Sequence, residues 1–260
     1  MIKFQSFLSG SSGNCTFVTD DTTHLLVDCG ATGKYITECL SRLRIHPSQI
    51  SAILVTHEHR GHVSGVGDMS RKYGIPVLAT EGTLSGMESI CGRFQSSADK
   101  ISLGKEISVG SLSVRAFAIP HDAAEPVGYR FSDDNSTFTI ATDLGHISDE
   151  LAEELSGSDS IIIEANHDAE LLRTGPYPYY LKRRIAGDRG HLSNDSCARL
   201  CAMLAKTGTR AFWLGHLSQE NNVPTLAYET VKSILSEEGI RVGTDVGLNV
   251  LSRYWLKENL

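Results

Sequence analysis

Short apolar runs separated by turn residues make up most of the first half of the chain. Residues 4–8, 16–19 and 25–27 predict three strands, with Ser9-Gly10-Ser11-Ser12-Gly13-Asn14 as a tight turn between the first two. Residues 34–43 place Tyr35, Ile36, Cys39, Leu40 and Leu43 at helical spacing. The run 52–55 predicts the next strand and 63–73 a helix, with further strands at 77–79, 112–119, 129–131 and 138–141. In the second half, helices are expected at 149–155, 180–185, 194–206 and 226–235, among strands at 160–164 and 211–214 and a closing strand at 248–255. No low-complexity tract or long repeat interrupts this order. Strands first, then strands mixed with helices, predict an α/β fold: an αββα sandwich of two mixed sheets between helical layers. The economical organisation is a single domain over residues 1–260.

Composition changes this picture little. A hydrophobic content of 40% and a charged content of 21% are those of an ordinary soluble globule. No stretch approaches the roughly eighteen apolar residues of a membrane span, so a cytoplasmic protein without a membrane partner is expected. Six cysteines, Cys15, Cys29, Cys39, Cys91, Cys197 and Cys201, match neither a zinc ribbon nor a disulfide framework, so reduced, buried thiols are expected. The net charge of −7 argues against nonspecific coating of nucleic acid, but not against a site that grips phosphates locally.

The chemistry concentrates in Thr56-His57-Glu58-His59-Arg60-Gly61-His62-Val63-Ser64-Gly65, where three histidines crowd six positions directly behind an apolar run. A strand that feeds such a loop presents imidazoles at the rim of a sheet, and converging imidazoles suit zinc, manganese or iron. Four more polar residues stand just past apolar runs: Asp28, His121, Asp143 and His216. Each alone is an ordinary strand-end residue. Together with the histidine loop they predict ligand-type side chains converging on one edge of a sandwich. Covalent catalysis by Ser11, Ser12 or Cys15 is not expected, because small residues there fit a tight turn. The glycines also lack the lysine and spacing of a nucleotide-binding loop.

These residues in this order resemble the metallo-β-lactamase superfamily, an αββα sandwich with a metal site between its sheets. The Ser9–Asn14 turn narrows the resemblance, as do Pro120-His121-Asp122-Ala123, Pro126-Val127-Gly128-Tyr129 and Glu164-Ala165-Asn166-His167-Asp168. So do Gly190-His191-Leu192-Ser193-Asn194 and Gly215-His216-Leu217-Ser218, which together are similar to the YycJ/WalJ-type branch of small bacterial nucleases. The resemblance implies that His57, His59 and His121 hold one divalent ion, with Asp143 bridging to a second held by His62 and His216. Asp28 would orient the histidine loop by hydrogen bonds. The ions, zinc or manganese with iron as a further option, would clamp a scissile phosphate and generate a hydroxide near neutral pH. The superfamily pattern is His-x-His-x-Asp-His, and this chain has Gly61 where the aspartate belongs. Loss of that anionic ligand implies a weak second metal site and reduced activity, unless Glu58, Asp68 or Asp122 compensates.

The resemblance further implies a 5′-to-3′ DNA exonuclease. His191 precedes His216 by 25 positions, as a leaving-group histidine does in related nucleases, so it is a candidate phosphate binder or general acid. His167 is a second candidate catalytic residue, with Asn166 and Ser193 as candidate substrate-binding residues. Tyr177, Tyr179 and Tyr180 beside Lys182, Arg183, Arg184 and Arg189 suit stacking on unpaired bases and contact with phosphates, whether on a single strand or a duplex end. Asp143 and His216 are 73 positions apart, too close for the large insertion of RNA-processing relatives. Two rival functions remain open: a thioester or lactone hydrolase of the same fold, and a catalytically weak nucleic-acid-binding module. The basic cluster speaks against the first, and Gly61 is the support for the second.

Overall fold

The computed structural model describes residues 1–92 and 98–258. Among these, thirteen strands fall into two mixed sheets, of six and seven strands, flanked by helices. The chain divides into two compact units. The first comprises Met1–Ala118, Ala123–Ser136 and Ser252–Leu260, and the second Ile119–Asp122 and Thr137–Leu251.

In the first unit, β1 (Lys3–Gly10) and β2 (Gly13–Thr19) form an antiparallel hairpin turning at Ser11-Ser12, and β3 (His24–Val27) pairs antiparallel with β2. From β3 the sheet becomes parallel through β4 (Ala52–Leu54), β5 (Val77–Ala79) and β6 (Ala98–Lys100). Parallel neighbours need crossovers. Here these are α1 (Gly33–Arg42), then α2 (Arg60–Val63) with α3 (Val66–Tyr73), then α4 (Glu81–Cys91). The same unit holds the antiparallel strands β7 (Glu106–Val109), β8 (Leu112–Ala118) and β9 (Val127–Ser132). Its core gathers Phe7, Leu26, Ile53, Val55, Met69 and Val77.

The second unit is built on four parallel strands, β10 (Thr137–Ala141), β11 (Ser160–Glu164), β12 (Ala211–Gly215) and β13 (Gly247–Val250). β11 reads as a continuous apolar run because parallel strands covered on both faces need no polar side. The connections carry α5 (Asp149–Leu155), α6 (Ala169–Thr174), α7 (Tyr179–Ile185), α8 (Asn194–Lys206) and α9 (Pro224–Glu237). Ser148, Asp168 and Ser193 each cap a helix with a side-chain oxygen.

The strand expected at 248–255 stops at Val250. The chain returns to the first unit as α10 (Trp255–Glu258), where the Trp255 ring stacks on Phe7 with centroids 5.7 Å apart. The single helix expected over 63–73 is two helices, because the Gly65 amide donates to the Cys29 carbonyl at 2.8 Å instead of continuing a helical ladder. Four elements had no clear sequence signal. α4 buries only Thr83, Met87 and Cys91 around two glycines, and no residue of β7 is fully buried. β6 and α6 are short. All six cysteines are free and buried, and no described helix is long and apolar enough to cross a membrane.

One close approach fixes the loop after β3 against the loop after β4. The Gly30 amide donates to the Asn14 carbonyl at 2.7 Å, and a Cβ on Gly30 would lie 1.7 Å from the Gly61 carbonyl oxygen. That oxygen and the Asn14 amide nitrogen, 2.6 Å from the same Cβ, are both backbone, so neither can swing aside. Gly30→Ala should therefore destabilise the protein by about 2 kcal/mol or more in urea unfolding. A loss below about 0.5 kcal/mol would mean that these loops shift freely.

Candidate metal centre

Three of the sequence-derived candidates share an unusual backbone. Asp28 follows β3 with φ 58°, Asp143 lies two residues past β10 with φ 62°, and His216 follows β12 with φ 56°. Left-handed conformations cost a non-glycine residue about 1 kcal/mol or more, and persist where surrounding bonds over-determine them. The other two described examples, Asp21 and Arg44, lie in exposed turns.

In the first unit the bonds radiate from Asp28. Its buried carboxylate accepts from the Thr56 amide at 2.8 Å, from the Thr56 hydroxyl at 2.9 Å and from His62 Nδ1 at 2.8 Å. A carboxylate only accepts, so the hydrogen of His62 sits on Nδ1 and Nε2 keeps its lone pair. The Thr56 hydroxyl spends its hydrogen on Asp28 and accepts from His57 Nδ1 at 3.1 Å, which gives His57 the same tautomer. One buried carboxylate thus orients two imidazoles. The His57 ring centroid lies 4.6 Å from that of His59 and 4.0 Å from that of His62. Asn14, from the first hairpin, places its amide nitrogen 3.3 Å from His62 Nε2. Gly61 sits inside α2, and a Cβ there would meet nothing nearer than 3.6 Å. Nothing in the local packing demands glycine.

In the second unit Glu164, the last residue of β11, plays the matching part. It is fully buried. Its Oε1 accepts from His191 Nδ1 at 2.9 Å and His216 Nδ1 at 2.6 Å, and its Oε2 from the amides of Leu144 at 2.7 Å and Leu192 at 3.0 Å. Burial alone would raise its pKa, but the His191 and His216 contacts outweigh it and hold the carboxyl at about 2. Ligand atoms of Asp143, Glu164, His191 and His216 all lie within 4.8 Å of one another.

His121 supplies a test of whether a cation fits. Its Nδ1 donates to the Gly190 carbonyl at 3.2 Å, which leaves the lone pair on Nε2. That nitrogen faces carboxylate oxygens of Asp122 at 3.3 Å and Asp143 at 3.7 Å. Burial, the largest influence, lowers the His121 pKa, so the ring is not readily charged. A lone pair facing two carboxylates is repulsive unless a cation sits among them. The nitrogen-and-carboxylate donor set suits a divalent metal.

The remaining candidates are dispersed. Asn166 is buried, and its amide donates to the His216 carbonyl at 2.9 Å, so this side chain braces the His216 loop. Ser193 caps α8. His167 is buried, its Nδ1 has no hydrogen-bond partner among the described residues, and burial pulls its pKa down to about 4. Lys182 Nζ donates to the Arg173 carbonyl at 2.8 Å, Arg183 lies over the Tyr179 ring at 6.0 Å, and Arg184 grips Asp122 at 2.6 Å. Arg189 donates to the His121 carbonyl at 2.8 Å. Among the possible substitutes for the missing aspartate, Glu58 accepts from the Ala124 amide and Asp68 pairs with Arg71. Asp122 brings a carboxylate beside His121 Nε2. Sequence reasoning did not assign roles to Glu164 and Thr56. Glu164 had a usable signal, an acidic residue closing an apolar strand.

The sheets, the strand-end histidines and the buried carboxylates define a metallo-β-lactamase-fold protein, and the comparisons agree. A family model described as the beta-lactamase superfamily domain matches residues 23–217. The metallo-β-lactamase-fold protein YhfI from Bacillus subtilis superposes with a TM-score of 0.76 over 98% of both chains at 14% identity. Exodeoxyribonuclease WalJ of Streptococcus pneumoniae is 41% identical over 94% of this chain and 91% of its own length. Exodeoxyribonuclease YycJ of Bacillus anthracis is 38% identical over 93% and 92%. The chain belongs to the metallo-β-lactamase superfamily, in the branch that holds these two relatives.

Two expectations follow. All four partners of Glu164 are donors, and a glutamine offers one acceptor oxygen and an amide that would face donors. Glu164→Gln should therefore lower stability by about 2–4 kcal/mol in urea unfolding, and a change under about 1 kcal/mol would contradict the bonding pattern. His167 is held neutral in the folded state, so its contribution to stability is full above its ordinary pKa of 6.5 and is lost as pH falls toward about 4. Stability measured across that window should fall less steeply in His167→Gln than in the wild type. Identical slopes would contradict a neutral buried His167.

Proposed function

We propose that this chain is a metal-dependent phosphodiesterase that digests DNA from an end in the 5′-to-3′ direction, acting in the cytoplasm as a single domain over residues 1–260. Kinship over nearly the whole chain with two relatives named exodeoxyribonucleases supports the reaction class. The observation that carries the metal dependence is the His121 lone pair turned toward Asp122 and Asp143. Family membership supports the ligand assignment, with His57, His59 and His121 on one ion and Asp143 shared with a second ion on His62 and His216. Zinc and manganese suit these donors, and iron is a further option. A divalent ion bound there supplies Lewis-acid polarisation of the phosphate and acidification of a water.

The chain's own residues do the rest. Asp28 and Glu164 hold the histidines in the tautomer whose Nε2 lone pair is available. His191 is partly exposed and its Nδ1 hydrogen is fixed on Glu164, so a proton first taken up at Nε2 is the one it would pass to the departing 3′ oxygen. His167, buried and held neutral, is the second candidate catalytic residue. Lys182, Arg183 and Arg184 would engage backbone phosphates, with Asn166 and Ser193 supporting the loops that present His191 and His216.

Gly61 leaves the second ion with three protein ligands, none of them the family's aspartate, so that ion is weakly held and turnover is reduced. Because a Cβ fits at Gly61, Gly61→Asp should fold with stability within about 1 kcal/mol of the wild type. It should bind a second equivalent of metal by mass spectrometry and digest 5′-phosphorylated duplex DNA faster with manganese or zinc. Two tightly bound metals in the wild type with unchanged turnover in Gly61→Asp would refute the weak site. DNA left intact by both proteins under metal-replete conditions would refute the nuclease reading.

A further inference from the structure

The helix α7 lies at the surface beside the candidate centre, and its two leading tyrosines have no part in the reading above. None of its seven residues is buried, and its first two, Tyr179 and Tyr180, are 76% and 74% exposed. Large aromatic side chains that exposed are costly to leave in water and are common where a ring meets a flat partner. The last turn carries Lys182, Arg183 and Arg184, on a chain whose net charge is −7. Lys182 and Arg183 meet no carboxylate among the described residues: one donates to a carbonyl and the other lies over the Tyr179 ring.

The helix is nevertheless tied to the centre. Arg184 makes a two-bond contact with Asp122, at 2.6 and 3.1 Å, and Asp122 adjoins His121. The segment after the helix is tied as well, through Arg189 to the His121 carbonyl and through the Gly190 carbonyl to His121 Nδ1. Polar bonds therefore hold this patch in register with His121, while no side chain of α7 is fully buried. Tyr180 stands one helical turn before Arg184, about 6 Å along the axis, close to the rise of two stacked nucleotides.

We propose that Tyr179 and Tyr180 form a stacking platform for one or two unpaired bases at a DNA strand end, next to phosphates met by Lys182 and Arg183. Aromatic rings accept any base face, and an unpaired base can offer its face to either ring, whereas a blunt end opens only the outer face of its terminal pair. The platform therefore selects ends that are frayed or overhanging over blunt ends. This rests on the nuclease reading above and adds the form of the DNA end.

The test is fluorescence anisotropy with metal-loaded protein and cleavage-resistant phosphorothioate DNA carrying a 5′ phosphate. Blunt duplexes are compared with duplexes ending in three unpaired nucleotides. The wild type should bind the unpaired end about tenfold more tightly. The doubly substituted protein, Tyr179→Ala with Tyr180→Ala, should lose that preference, and Tyr179→Phe with Tyr180→Phe should keep it. Thermal midpoints should match in all three, since no buried side chain changes. Equal binding of both ends by the wild type, or a preference that survives in the alanine protein, overturns the platform while leaving the nuclease reading intact. Failure to bind either DNA and to digest ordinary DNA would overturn both.

Discussion

Two buried carboxylates set the orientation on which the rest of this protein's chemistry depends. An ionised carboxylate can only accept hydrogen bonds, so an imidazole bonded to it through Nδ1 must present its Nε2 lone pair elsewhere. Asp28 does this for His62 directly and for His57 through Thr56, and Glu164 does it for His191 and His216. Both carboxylates stand where parallel strands end. For Glu164, burial alone would favour the neutral form, and the contacts with His191 and His216 outweigh it. The left-handed backbone at Asp28, Asp143 and His216 belongs to the same economy: strain at a strand end persists because several bonds converge there.

This arrangement was partly legible in the chain alone. The apolar runs ending at Val27, Val55, Ala141 and Leu214 and the polar residues just past them announce themselves, because a buried parallel strand must be apolar and its exit must not be. Strands near β3, β5, β10 and β11 were therefore readable almost to the residue. What could not be read was which polar residues hold one another. Glu164 and Asn166 look alike as members of a motif. Yet one carboxylate gathers four donors, while the neighbouring amide braces a loop. Only three-dimensional convergence separates those roles.

The misread elements share a cause. α4 and β7 present few buried residues, so hydrophobic periodicity had little to detect. The break between α2 and α3 and the turn from β13 toward α10 are decided by distant partners, the Cys29 carbonyl and the Phe7 ring, that local propensity cannot report. Gly61 is the reverse case. Its significance is plain from the motif, while the structure adds that it stands in ordinary helical space and that Asp122 lies beside His121.

The most direct measurement of the central claim is anomalous diffraction from crystals of the zinc-loaded protein. With Nδ1 committed to Glu164, a zinc peak is predicted about 2.0–2.2 Å from Nε2 of His216 and from a carboxylate oxygen of Asp143. Zinc bound through His216 Nδ1 with Glu164 displaced, or no peak near these residues, would contradict the claim that the buried carboxylates aim the histidines at a metal.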